Sequence, residues 1–211
     1  MHISVWSDIA CPWCWLGKHH LQQALANTGV QADVTYRSFE LQPNARGARP
    51  VREYLQERYG SLQQIDAAHA RLTAAGKAVG IDYDFDRALM VNSFDAHRVH
   101  HLAMARGLGE PVMERFMKAR QGEGADISEH ATIRALAVEA GLDGAEVDGV
   151  LAGDAYAAEV RADEEAAREI GVSGVPFFVF DGKHALSGAH PVEVFERALA
   201  MARGADATPG P

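Results

Sequence analysis

Ser7-Asp8-Ile9-Ala10-Cys11-Pro12-Trp13-Cys14-Trp15-Leu16-Gly17-Lys18 stands where one pattern of the chain gives way to another. Before it, Ile3 to Ser7 is a short β-branched and aromatic run; after it, Leu16, Leu21, Ala24 and Leu25 recur at helical spacing. The stretch reads as strand, turn and helix start, with Cys11 and Cys14 on the first helical turn. Thiols at i and i+3 of a helix meet with little strain, so the pair can open and close as a disulfide. Unpaired N–H groups and the helix dipole favour a thiolate at the helix N-terminus, which makes Cys11 the expected nucleophile. Pro12 removes an N–H that would have no partner and presets the helical φ. Cys14, one turn further in, is the expected resolving thiol. Exchange of this kind passes through a mixed disulfide, and its direction follows the reduction potential. Pro12-Trp13 alone does not fix that potential.

Outward from the cysteines, Asn27-Thr28-Gly29 supplies a helix stop, and Ala32 to Phe39 alternates at period two, a second strand. The opening is therefore βαβ, with a parallel, right-handed first connection. From Pro43 to Gly171 the pattern is helical, over Val51–Tyr59, Leu62–Val79, Val91–Arg106, Val112–Ala119, Glu129–Ala140 and Ala155–Ile170. Then Pro176 to Phe180 reads as a strand, Asp181-Gly182 as a hairpin turn, His184 to Leu186 as the return strand and Val192–Met201 as a closing helix. The expected architecture is α/β: a mixed sheet flanked by helices, built from residues 1–42 and 171–203, with an all-helical insertion at 43–170 and a disordered tail from Gly204 to Pro211. In such a sheet the site lies at the carboxyl end of the first strand, where Cys11 and Cys14 fall.

Composition narrows the function. With 211 residues, 47% of them apolar, the chain can bury a sizeable core. A formal net charge of −9 argues against a nucleic-acid surface. No long uncharged apolar stretch and no basic-then-apolar leader pattern is present, so the chain is expected in the cytoplasm, without membrane attachment. Two cysteines are too few for a disulfide framework.

Other signals carry less. Cys-x-x-Cys is also a zinc spacing, but no second pair exists and His19 and His20 give an incomplete ligand set, so no metal is expected. His97 and His101, at i and i+4, lack the glutamate of a metalloprotease helix and read as packing or cleft-lining residues. Asp82, Asp84 and Asp86 alternate like a calcium loop, yet Arg87 and Ser93 occupy its glycine and glutamate positions. Asp8 reads as a turn or cap residue, with a carboxylate near enough in sequence to move protons for Cys14. Gly122 and Gly124 do not make a dinucleotide loop. Pro176, at the entry of an apolar strand, would weaken the ladder there and needs a reason.

These residues carry a resemblance. Ser7 to Lys18, Phe39-Glu40-Leu41-Gln42-Pro43, Asp95-Ala96-His97-Arg98 and Gly171 to Phe180 together resemble the DsbA-like branch of the thioredoxin superfamily, specifically its FrnE-like members. Its relatives are 2-hydroxychromene-2-carboxylate isomerases and kappa-class glutathione transferases. The resemblance spans nearly the whole chain and implies a thioredoxin-like fold and a thiol–disulfide oxidoreductase acting on protein or small-molecule thiols and disulfides, with disulfide isomerisation ranked below simple exchange. It implies a cis Val175-Pro176 bond facing Cys11, and substrate contacts at Pro12, Trp13, Val175, Pro176 and His97. No tightly bound cofactor is implied; glutathione is compatible as a co-substrate. The helical block could bind substrate or build a homodimer interface. The rival reading is a glutathione-dependent isomerase or transferase of aromatic or electrophilic molecules, although those relatives generally carry serine where Cys11 stands. A non-catalytic metal-binding or interaction module is the third. One stretch departs from the family: Met117 to Ala125 reads MKARQGEGA where the relatives are aromatic-rich.

Overall fold

A computed structural model describes residues 1–206. Its main sheet has four strands, β1 (His2–Ser7), β2 (Asp33–Ser38), β5 (Phe177–Phe180) and β6 (His184–Ser187), in the order β2-β1-β5-β6. β1 and β2 are parallel and joined through α1 (Pro12–Thr28); β5 pairs antiparallel with β1 and with β6. The hairpin turn falls at Asp181 and Gly182, with φ of 48° and 69°. Two successive positive φ values suit Asp-Gly and match the twist of the flanking strands.

β1 is central and covered on both faces, which is why HISVWS is nearly all buried rather than alternating. On one face Ile3 and Val5, with Phe178 and Phe180, join the core that α1 and α9 (Val192–Asp206) cover; Phe178 meets Phe195 edge-on, with ring centres 4.8 Å apart. On the other face Trp6 clusters with Phe177, Val179, Ala167 and Val172, and its indole N–H donates to the Asp163 carbonyl at 2.9 Å. Close approach of α1 to β5 depends on Gly17, where a Cβ would lie 3.1 Å from both the Phe178 ring and Pro176 Cγ.

Between β2 and β5 run α2 (Val51–Tyr59), α3 (Leu62–Ala78), α4 (Phe94–Ala105), α5 (Gly109–Gly122), α6 (His130–Glu139), α7 (Gly144–Ala152) and α8 (Ala157–Glu169). α4 is the hub, packing on α5, α6, α7 and α8. Its Val99 and Leu102, with Phe116, Met117, Ile133 and Leu136, belong to the same continuous core as Ile3 and Phe178. An ion pair network around the buried Lys18 ties this block to α1: Lys18 Nζ donates to Glu110 and Glu114, each at 2.6 Å, and the Trp15 indole donates to Glu114 at 2.9 Å.

The structure departs from the sequence reading in several places, among them α5, which spans Gly109–Gly122 rather than Val112–Ala119. The block is not all helical: β3 (Arg49–Pro50) pairs antiparallel with β4 (Leu89–Met90). α7 had no counterpart in the reading. α4 begins at Phe94 rather than Val91, because Val91 and Asn92 follow β4. α9 continues through Asp206, so Gly204 to Asp206, expected in a disordered tail, are helical; 207–211 lie outside the described residues. No helix among those described is long and apolar enough to cross a membrane.

Candidate active site

Cys11 is the N-cap of α1, in extended conformation, and Pro12 is the first helical residue. The turn before it is set by Asp8, whose carbonyl accepts the Cys11 N–H at 3.0 Å; one turn in, the Cys14 N–H donates to the Cys11 carbonyl at 3.1 Å. Both cysteines are free thiols and both are buried, at 3% and 2% exposure. Burial therefore does not separate them, as the sequence led one to expect; access does. Cys11 lines a cleft of about 490 Å³ and Cys14 does not. Burial first, and then the hydrogen bond and charge of Cys11, push the Cys14 thiol well above its ordinary value, so it rests protonated.

From the β5 side, the Val175-Pro176 peptide is cis and the Val175 carbonyl oxygen lies 3.8 Å from Cys11 Sγ, accepting its S–H. Pro12 and Trp13 line the cleft with Cys11, Trp13 being 39% exposed at its mouth. The opposite wall comes from α2 and α3, through Tyr54, Leu55, Ile65 and Leu72. Tyr83 donates its hydroxyl to the Pro12 carbonyl at 2.7 Å, fixing the turn from below.

His97, expected against the substrate, is instead wholly buried and does not line the cleft. Its Nε2 lies 3.5 Å from Asp8 Oδ1, and neither ring nitrogen makes a hydrogen bond. Asp8 is a bracket: Oδ1 accepts the Ala10 N–H at 2.9 Å and Oδ2 the Leu41 N–H at 2.7 Å. Burial alone would push this carboxyl up, but His97 and the two amides outweigh it and hold it below the usual range. Asp8 thus serves as the turn residue, since both its oxygens are engaged.

Several residues of the site were not singled out by sequence, Arg58, His69 and Arg120 among them. Arg120, near the end of α5, lines the cleft with Cys11 although only 3% exposed. Its guanidinium donates to Gln121 Oε1 at 2.5 Å, and Gln121 in turn reaches the Ile9 carbonyl at 3.4 Å, so Arg120 is tethered to the turn that carries Cys11. The only signal pointing to it was the departure of residues 117–125 from the family pattern.

The family described as DSBA-like thioredoxin domain matches residues 2–200. A solved structure of a probable DsbA oxidoreductase from Streptomyces coelicolor is 41% identical, with a TM-score of 0.94 over 100% of this chain and 93% of that one. A 2-hydroxychromene-2-carboxylate isomerase shares the fold at 16% identity and TM-score 0.73, covering 99% of this chain and 100% of that one. So does the cytosolic disulfide reductase DsbM from Pseudomonas aeruginosa, solved with GSH, at 18% identity and TM-score 0.63, with 98% of each chain covered.

Proposed function

The chain belongs to the DSBA-like thioredoxin family, and on that premise we propose that it is a cytoplasmic thiol–disulfide oxidoreductase working through Cys11 and Cys14. The observation that carries this reading is the division of labour between two equally buried thiols: Cys11 alone opens on the cleft, at the N-cap of α1, while Cys14 is held protonated behind it.

The Cys11 thiolate attacks one sulfur of a substrate disulfide; the substrate S–S bond breaks and its other sulfur leaves as a thiolate. Cys14 then loses its proton and attacks Cys11 Sγ, which forms the Cys11–Cys14 disulfide and expels the second substrate thiolate. Two electrons have passed from the protein dithiol to the substrate; run backward, the oxidised pair oxidises a dithiol. The Val175 carbonyl, beside Cys11 Sγ, marks the backbone against which an extended substrate segment or glutathione would lie. No resident cofactor is required, and glutathione is a fitting co-substrate for regenerating the dithiol.

Cys11→Ser abolishes insulin reduction, and Cys14→Ser accumulates a mixed disulfide at Cys11 that mass spectrometry detects. Unchanged insulin reduction by Cys11→Ser would overturn the proposal. A second reading, glutathione-dependent isomerisation or transfer on a small molecule, draws on the size of the cleft, about 490 Å³, which suits a small ligand better than a protein surface. Calorimetry with millimolar glutathione separates the two: an absence of heat counts against this second reading.

A further inference from the structure

In a chain of net charge −9, the cleft at Cys11 is lined by Arg58, Arg120 and His69 and by no carboxylate. Apart from Gln42 and Gln64, the rest of its wall is apolar and aromatic, with Tyr54, Tyr59 and Phe85 among the rings. His69 stacks on Phe85 at 4.0 Å, and burial holds its pKa below the usual value, so the positive charge of the lining resides in the two arginines at neutral pH.

Neither arginine is in an ion pair among the described residues. Arg58 donates to the Tyr54 hydroxyl at 2.9 Å and lies over the Tyr59 ring. Arg120 has only the Gln121 side chain, and its Nε has no hydrogen-bond partner. A buried guanidinium without a counterion is costly. Burial brings its pKa down to about 10, which leaves it charged at neutral pH. The negative charges of Asp8 and Cys11 nearby partly offset that fall, but Asp8 turns its oxygens to the Ala10 and Leu41 amides and makes no ion pair with Arg120 among the described residues.

We propose that the cleft is a binding site for small disulfides bearing a carboxylate on an aromatic or apolar body, with Arg120 receiving the anion beside Cys11 and Arg58 guiding it at the mouth. The proposal rests on Cys11 as the exchange nucleophile and deepens that reading by naming the substrate class. A guanidinium takes a carboxylate through two parallel charge-assisted N–H···O bonds. The rings opposite then hold the body of the substrate with its S–S bond towards Cys11.

The test mixes pre-reduced full-length protein with two aromatic disulfides in single-turnover kinetics. One is dithiobis-nitrobenzoate, which carries a carboxylate on each ring; the other is dithiodipyridine, uncharged at neutral pH. Each rate is normalised to that of free dithiothreitol. In Arg120→Gln the ratio of the nitrobenzoate rate to the dipyridine rate falls about tenfold or more, and Arg120→Lys restores part of it. Equal falls with both disulfides would assign Arg120 to the Cys11 thiolate and overturn the proposal, as would no fall with either. Arg58→Gln, at an exposed position, lowers the nitrobenzoate rate several-fold if Arg120→Gln fails to fold, and an unchanged rate there overturns the proposal. If wild type reacts with neither disulfide, the exchange reading itself fails. Calorimetry of nitrobenzoate on Cys11→Ser still tests the anion site in that case: heat that Arg120→Gln removes supports it, and no heat sinks it.

Discussion

At the scale of single residues, Asp8 does more than its neighbours in sequence suggest. Its two oxygens hold the amides of Ala10 and Leu41, two residues that both line the cleft, and it is 1% exposed. Asn can accept only one of those N–H groups and must turn its own NH₂ toward the other. Asp8→Asn should therefore cost about 1–3 kcal/mol at neutral pH, the usual penalty for a buried unsatisfied donor, measured by urea unfolding. The native carboxyl titrates below its unfolded value, so its contribution is complete above the unfolded value of about 3.9 and is lost as pH falls through the native one. The gap between wild type and Asp8→Asn should narrow on acidification below about pH 4; a gap independent of pH would show that the charge is not what stabilises. The turn role was legible because Asp8 sits three residues before an N-cap. The partnership with Leu41 and His97 was not, since it joins three segments far apart in the chain. Arg120 was invisible for the same reason: no local motif marks an arginine whose importance is that the fold brings it beside Cys11 without an ion-pair partner among the described residues.

At the scale of elements, α4 shows how one helix pins several others. His97 reaches Asp8 behind the cysteine turn, His100 Nε2 donates to the Gly109 carbonyl at 3.1 Å, and His101 lies 3.2 Å from both Ser38 Oγ and Asp163 Oδ2. Burial, followed by the charges of His97 and His101, pushes the His100 pKa down to about 3. An unfolded chain protonates this residue near pH 6.5 while the native one does not, so the unfolded state is favoured as pH falls through that window. Between pH 7 and pH 5 this one histidine should remove about 2 kcal/mol of stability, and His100→Gln, which can still donate to the Gly109 carbonyl, should flatten that decline. Equal pH dependence in the two proteins would refute it. The sequence left these histidines open between solvent contact, packing and a cleft-lining role and set His97 against the substrate; His97 and His100 are instead buried, and none of the three lines the cleft. The elements the sequence concealed have physical reasons too. β3 and β4 are two residues each, too short to leave any periodicity. α7 contains Gly144 and Gly149, so its apolar spacing is thin, although Asp143 caps it through two backbone amides at 2.9 and 3.0 Å. By contrast β1, α1 and the β5–β6 hairpin were legible, because each combines a clear composition or period with its own punctuation.

At the scale of the whole molecule, the sheet and the helices between β2 and β5 divide cleanly along the chain but not in the core. Ile3, Phe178 and Phe195 share one continuous buried cluster with Phe116, Ile133 and Val147, and the Lys18–Glu110–Glu114 network crosses the same boundary. Separating the two parts would expose that surface and strand Lys18, a buried cation whose partners all lie on α5. We therefore expect one cooperative unfolding transition. The molecule supplies its own two probes. Trp6, Trp13 and Trp15 all lie on β1 or α1, so fluorescence reports the sheet side, whereas most helical residues lie between β2 and β5, so circular dichroism reports chiefly the block. Urea unfolding followed by both signals should give coincident midpoints and slopes. Glu114→Ala is the sharper form of the same test. It removes the acceptor shared by Lys18, His19 and Trp15, and it should lower both midpoints together if the boundary is part of one core. Should the variant split the curves, with the dichroism midpoint unmoved while fluorescence melts earlier, the two parts are separate folding units held by that network, and the continuous core is a contact rather than a common foundation.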